Sequence, residues 1–315
     1  MKLNILLISL LFFLVGCSDD KENRETTQNK SPVIAKDTLP EKLVVVTRNA
    51  PTTWYHGRDT IEGPEFDLIK AFTDDHKISL EVEVVDSISE VLQWVKDGKA
   101  QIAAAGLTDT EERRQQGIIF GPQYHQVQQL VVCRRKTIAI PKTVADLVGV
   151  KITVIKDSSY VDRLKQLKQN NPELDWIETD EMDTEQLLKM VWEKKIDCTV
   201  ADSNIVSINR RYYPELLVAF ALSEKQPLAW VINDEWDFLR MKIDAWFESE
   251  QTAGKIAALH EKYYGHIDLF NFVDMRAFNR RIKSRYPKYK ELFEKNSNKY
   301  GLDPTLLAAQ SYQES

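Results

Sequence analysis

The sequence predicts an α/β chain in which a largely parallel, doubly wound sheet is followed by a stretch that is helical throughout. Three observations predict it. From Leu43 onward, short β-branched runs alternate with amphipathic helical stretches. Several of those runs are apolar on both faces, as strands covered on both sides require. After Phe238 the apolar residues recur only at helical spacing.

The elements follow in chain order. Lys2 precedes an apolar run from Ile5 to Val15, which is too short for an ordinary spanning helix but has the length of a secretion-signal core. From Asp19 to about Pro40 the chain is polar and charged, with too few apolar groups to order itself, and reads as a tether. About 275 of the 315 residues remain, enough for two domains. Residues 43–47 form the first strand, 65–72 an amphipathic helix, 80–85 a strand, 88–96 a helix ended by Gly98, and 100–105 a return to the sheet. Residues 128–133, 151–155, 195–203 and 226–232 continue the strand pattern, with Asp157, Ser158 and Ser159 opening a helix. In 238–264, Leu239, Ile243, Trp246 and Phe247 make one core stripe and Ile256, Leu259 and Tyr263 another. Asp303 is a natural helix cap before Pro304, so a last helix starts there. Leu307, Ser311 and Glu314 share a face of it. Glu314 is therefore expected to be partly withdrawn from water, as a general acid working near neutral pH requires.

Composition excludes some classes. A net charge of −6 argues against a nucleic-acid partner or a basic membrane surface. Five scattered histidines have no ligand-like spacing, so neither a metal nor another cofactor is expected. Seven tryptophans suit large cores and sugar or peptide grooves. Cys133 and Cys198 both sit in apolar strand-like runs and are expected to be buried and reduced.

The string Tyr300-Gly301-Leu302-Asp303-Pro304-Thr305-Leu306-Leu307-Ala308-Ala309-Gln310-Ser311-Tyr312-Gln313-Glu314-Ser315 resembles the catalytic-glutamate motif of lysozyme-like lytic transglycosylases. With the region in front of it, the whole chain resembles the membrane-bound lytic murein transglycosylase F family. That resemblance implies that Glu314 protonates the glycosidic oxygen between N-acetylmuramic acid and N-acetylglucosamine in peptidoglycan glycan strands, and then acts as base. The muramoyl C6 hydroxyl attacks its own anomeric carbon and leaves a 1,6-anhydro end, so no second carboxylate is needed. Ser315 matches the family's serine after the glutamate, a substrate contact. The family's later pocket segments are absent from this sequence, so the stretch is expected to be inactive by itself. Leu14-Val15-Gly16-Cys17 resembles a lipobox, implying cleavage before Cys17 and its acylation. Ser18 favours the periplasmic side of the outer membrane.

The region in front resembles the bilobal periplasmic solute-binding fold that captures amino acids between two doubly wound lobes. The resemblance sets the domains as signal 1–16, tether 17–40 and solute-binding-like domain 41–268. Its first lobe is about 41–130 and 228–268, and its second about 131–227. Residues 269–315 are then the N-terminal part of a lytic transglycosylase domain. Thr108 and either Arg113 or Arg114 match the positions that hold a ligand α-carboxylate, a task suited to a guanidinium. The spacing leaves the two arginines open. Asp202 matches the position that pairs with a ligand ammonium, with helix capping as the competing role. Trp54 and Tyr55 are candidates for an aromatic lid or for core filler. The helix start at Asp157 and Ser158 is a candidate anion contact. The expected effector is an amino acid or a muropeptide. The competing function is a lipid-anchored receptor of such solutes without catalysis.

Overall fold

The computed structural model describes residues 38–57, 59–135, 139–265 and 272–314. The expected signal, Cys17, nearly all of the tether and Ser315 lie outside the described residues.

Strand β1 (Lys42–Thr47) leads through the hairpin β2 (Tyr55–His56) and β3 (Ile61–Glu62) into helix α1 (Pro64–His76), then β4 (Ser79–Val84), α2 (Ile88–Lys96), β5 (Ile102–Ala103) and α3 (Glu111–Gln115). The long strand β6 (Phe120–Arg134) carries the chain into a second unit. That unit is built from β7 (Thr153–Ile155), α4 (Ser159–Lys168), β8 (Ile177–Thr179), α5 (Thr184–Trp192), β9 (Cys198–Asp202) and α6 (Ser203–Asn209). Strand β10 (Leu216–Ile232) brings it back, and α7 (Asp237–Phe247) and α8 (Glu250–Tyr264) pack there. Helices α9 (Phe272–Ser284), α10 (Tyr286–Tyr300) and α11 (Pro304–Gln313) end the described chain.

Six strands share one sheet in the order β4-β1-β5-β10-β6-β9, and β7 pairs in parallel with β8. The sheet is mixed rather than largely parallel. Strand β1 runs parallel to β4 and β5, whereas β10, β6 and β9 are each antiparallel to the strand before them in that order. The cause is the out-and-back path of β6 and β10, which pair with each other over most of their length. Their ladder is irregular: between the Ala221–Leu130 and Lys225–Gln128 pairs, β10 advances four residues while β6 advances two. Such a bulge bends and twists the ladder where the two lobes join.

Two apolar cores form, one within the first lobe and one that runs from the first lobe into the second. Leu43, Phe72, Ile102 and Trp230 are fully buried in the first, where Trp230 stacks on Trp246 at 6.3 Å and meets Phe247 edge-on at 5.2 Å. Val154, Leu164, Leu187 and Leu188 fill the second. Gly63 is required by backbone geometry: its φ is 138°, and a Cβ there would lie 2.1 Å from the Thr53 carbonyl oxygen.

Contrary to expectation, Cys133 and Cys198 form a disulfide, because they face each other directly in the β6–β9 register. Residues 238–264 are helical as expected, divided at Ser249, which caps the second helix, its hydroxyl accepting from the Thr252 N–H at 3.2 Å. The last helix begins as the sequence predicts, with the Asp303 carboxylate accepting from Thr305 N–H at 2.7 Å and Pro304 in the first turn. Glu314, however, is exposed, and α11 has no buried residue. The expected withdrawal of its carboxylate from water is therefore not found.

Candidate functional site

The strand ends and helix starts of the two lobes converge on a narrow, partly open cavity of about 30 Å³. The loop after β1 contributes Arg48 and Thr53. Thr53 is held in place by its hydroxyl, which donates to the Arg48 carbonyl at 2.6 Å. The segment after β5 contributes Gly106 and Thr108, with Gly106 at φ 65°, where a side chain would be strained. The second lobe contributes the start of α4, Thr184 at the start of α5, and Asp202 and Asn204 around the start of α6.

The geometry decides between the two arginines. Arg113 is buried, lines the cavity and donates from Nη1 to the Thr108 carbonyl at 2.9 Å. Arg114 points the other way: its Nε donates to Asp109 at 2.7 Å, and its guanidinium lies over the Phe120 ring. Arg114 is therefore not a cleft residue, because successive helical positions face different directions. Burial lowers the Arg113 pKa, and the charges of Asp162 and Asp202 oppose that shift.

Asp202 sits at the first position before α6, yet its side chain makes no capping hydrogen bond. It is buried at 4% exposure, and its Oδ1 has no hydrogen-bond partner. Burial pushes its pKa up to about 6, held back by the Tyr160 hydroxyl and the Arg113 guanidinium. Buried polar atoms without partners are costly, and they concentrate where a ligand completes the bonding.

The other expected residues divide. Thr108 lines the cavity, where its hydroxyl accepts from Ser159 Oγ at 3.4 Å. Ser158 also lines it, although its hydroxyl is spent on the Ile155 carbonyl at 2.6 Å. Asp157 lies outside it, in a neighbouring pocket, accepting from Ser89 Oγ of the first lobe at 2.6 Å. Trp54 and Tyr55 do not line the cavity. Trp54 packs edge-on against His56 at 4.8 Å, and the Tyr55 hydroxyl donates to Glu62 at 2.9 Å across the β2–β3 hairpin. Of the two roles left open for Trp54 and Tyr55, these contacts are structural and put no aromatic lid over this cavity. The lobes also meet through Gln166 and Glu112.

Sequence reasoning missed Arg48, Tyr160, Thr184 and Asn204, all of which line the cavity. Arg48 directly follows the carboxyl end of β1, where ligands gather in such sheets, and that position was the available signal. It also missed Glu65. This buried carboxylate accepts from Gly106 N–H at 2.8 Å, from Trp230 Nε1 at 3.1 Å and from the Tyr124 hydroxyl. It ties α1, β6 and β10 to the loop that carries Thr108. Burial pushes its pKa up to about 7 against those three donors.

Residues 43–266 match the bacterial extracellular solute-binding proteins, family 3. The chain is 38% identical over 312 residues to a membrane-bound lytic murein transglycosylase F 2 of Alkalilimnicola ehrlichii, covering 99% of this chain and 67% of that protein. It belongs to the membrane-bound lytic murein transglycosylase F family. The corresponding protein of Shewanella pealeana is 35% identical, covering all of this chain and 64% of its own length. The chain thus spans about two thirds of the length of these curated relatives. Among solved structures, an ancestral arginine-binding protein bound to arginine superposes with a TM-score of 0.64 at 20% identity, over 72% of this chain and all of that one. The arginine-, lysine-, histidine-binding protein ArtJ of Geobacillus stearothermophilus gives 0.61 at 18%, over 71% and 95%. These structures fix the fold as that of periplasmic solute-binding proteins.

Among the described residues no cluster of three or more metal-ligating side chains occurs, and no helix is long and apolar enough to cross a membrane.

Proposed function

We propose that the cleft binds an α-amino acid or the amino-acid part of a muropeptide, and that the whole protein is a peptidoglycan lytic transglycosylase modulated by that binding. The observation that carries the binding reading is that buried Arg113 and buried Asp202, whose Oδ1 lacks a partner, line one narrow cavity between the lobes, which widens for an amino acid as the lobes part. A guanidinium suits a carboxylate and a carboxylate suits an ammonium, so the two ends of an amino acid have opposite anchors.

In the catalytic reading, Glu314 donates a proton to the glycosidic oxygen between N-acetylmuramic acid and N-acetylglucosamine. It then takes the proton of the muramoyl C6 hydroxyl as that oxygen closes the 1,6-anhydro ring. Ser315 contacts the substrate. The exposure of Glu314 places a condition on this reading, because a general acid needs a surrounding groove to hold substrate and exclude water. The stretch described here is therefore inactive alone, and the longer protein is active. Cys17 carries the lipid that holds the protein to the periplasmic face of the outer membrane. The same exposure of Glu314 favours a second reading, a tethered solute receptor without catalysis.

One experiment separates the two. Digestion of isolated sacculi with the longer protein is expected to release 1,6-anhydro-muramoyl products, detected by mass spectrometry, and Glu314→Gln abolishes them. Absence of such products from the unsubstituted protein would leave the receptor reading in place, and ordinary reducing ends would indicate hydrolysis instead.

A further inference from the structure

A buried polar atom is costly to leave without a partner. Six such atoms belong to five residues around the cleft: Arg48 Nε, Gln129 Oε1, Thr184 Oγ1, both carboxylate oxygens of Glu185, and Asp202 Oδ1. They separate into two groups. Gln129 and Asp202 are directly opposed in the β6–β9 ladder, and the Gln129 amide nitrogen is spent on Ser159 Oγ at 3.2 Å. What remains at that end is two acceptors, which suits the ammonium of an amino acid.

The second group lies around Arg48, which lines the cavity together with Thr184. Glu185 follows Thr184 in the first turn of α5, and its carboxylate is within electrostatic reach of the Arg48 guanidinium. Neither residue is needed to start that helix. Asp183 already accepts from Gln186 N–H at 2.6 Å, and Gln186 Oε1 accepts from Asp183 N–H at 3.0 Å. The group therefore offers a donor, an acceptor carboxylate and a hydroxyl that can be either, all without partners of their own.

We infer that Arg48, Thr184 and Glu185 form a side-chain subsite selecting an α-amino acid that ends in a carboxamide, the glutamine class. The carboxamide oxygen accepts from Arg48 Nε–H while its NH2 donates to Glu185 and Thr184. A carboxylate tail satisfies Arg48 and repels Glu185, an ammonium tail does the reverse, and an aliphatic tail leaves all three unpaired. This inference rests on the cleft being an amino-acid site.

Calorimetric titration of the protein with glutamine, glutamate, lysine and leucine tests it. Glutamine is expected to bind roughly a hundredfold more tightly than leucine, with glutamate and lysine between, since each unmet buried group costs on the order of tenfold or more. The near-isosteric Thr184→Val and the charge-removing Arg48→Leu are each expected to weaken glutamine about tenfold and to tighten leucine, whose tail no longer leaves that group unmet, and the leucine binding that persists reports an intact fold. Equal affinity for leucine and glutamine, or an equal loss for both in the variants, would overturn the subsite while leaving the amino-acid reading intact. Silence across the panel would remove both.

Discussion

The solute-binding domain and the three helices that follow it bury their apolar residues very differently. In the former, Phe72, Ile102, Leu164, Leu187 and Trp230 are inaccessible to solvent. In the latter, Leu292, Tyr300, Leu302 and Leu306 are all more than half exposed, and the one buried side chain of α10 is Ser297. The first region supplies its own stability and so can hold buried charges such as Arg113 and Asp202 in place. The second has regular helices with good caps but no core of its own among the described residues. Its secondary structure rests on local signals: Asp303 and Pro304 at one start, and Gly301 in the left-handed conformation at the preceding end. A cleft for a small ligand can work in the first setting. A general acid in the second needs further cover.

Denaturation of a series of variants would sharpen this contrast. Trp230→Ala removes the centre of an aromatic cluster and a donor to Glu65, and is expected to cost about 3–5 kcal/mol. Cys133→Ser opens a loop of 65 residues, which on loop-entropy grounds costs about 4 kcal/mol. Leu306→Ala, at 62% exposure, is expected to cost less than about 0.5 kcal/mol. A large loss from Leu306→Ala would break the comparison by showing that α11 is packed in solution.

A separate effect concerns pH. The Glu65 carboxyl is raised in the folded state, so its contribution to stability is complete below its unfolded pKa and is lost as pH rises through about 7. Between pH 5 and pH 8 this amounts to roughly 3 kcal/mol. Glu65→Gln should flatten the fall in urea midpoint over that window. An unchanged slope would mean that Glu65 does not keep a proton in the folded protein.

Much of the fold was legible because its signals are local. Residues 88–96 read as a helix and are one, the β-branched run after Leu43 is a central strand, and Asp303 caps the helix it was expected to cap. What was not legible depends on partners far apart in sequence. The disulfide needed the register of β6 against β9, and two apolar strands look the same with or without it. The choice between Arg113 and Arg114 needed the direction of a five-residue helix. Strand direction in the sheet needed the out-and-back course of β6 and β10. In the site, Asp202 was singled out by its resemblance to the family position for a ligand ammonium, whereas Glu65 reads in sequence as an ordinary acidic residue in a first helical turn. Only its three donors, from residues 106, 124 and 230, distinguish it.

The most direct test of the cleft is amino-acid binding as a function of pH, measured by calorimetry on the unsubstituted protein and on Asp202→Asn. An ammonium is held best by an ionised carboxylate, and burial places the Asp202 pKa at about 6. Affinity for glutamine and leucine is expected to be full above pH 7, to fall about tenfold by pH 5, and to be lost in large part, without this pH dependence, in Asp202→Asn. Binding of the same strength at both pH values, or binding that Asp202→Asn leaves unchanged, would contradict the assignment of Asp202 as the ammonium anchor.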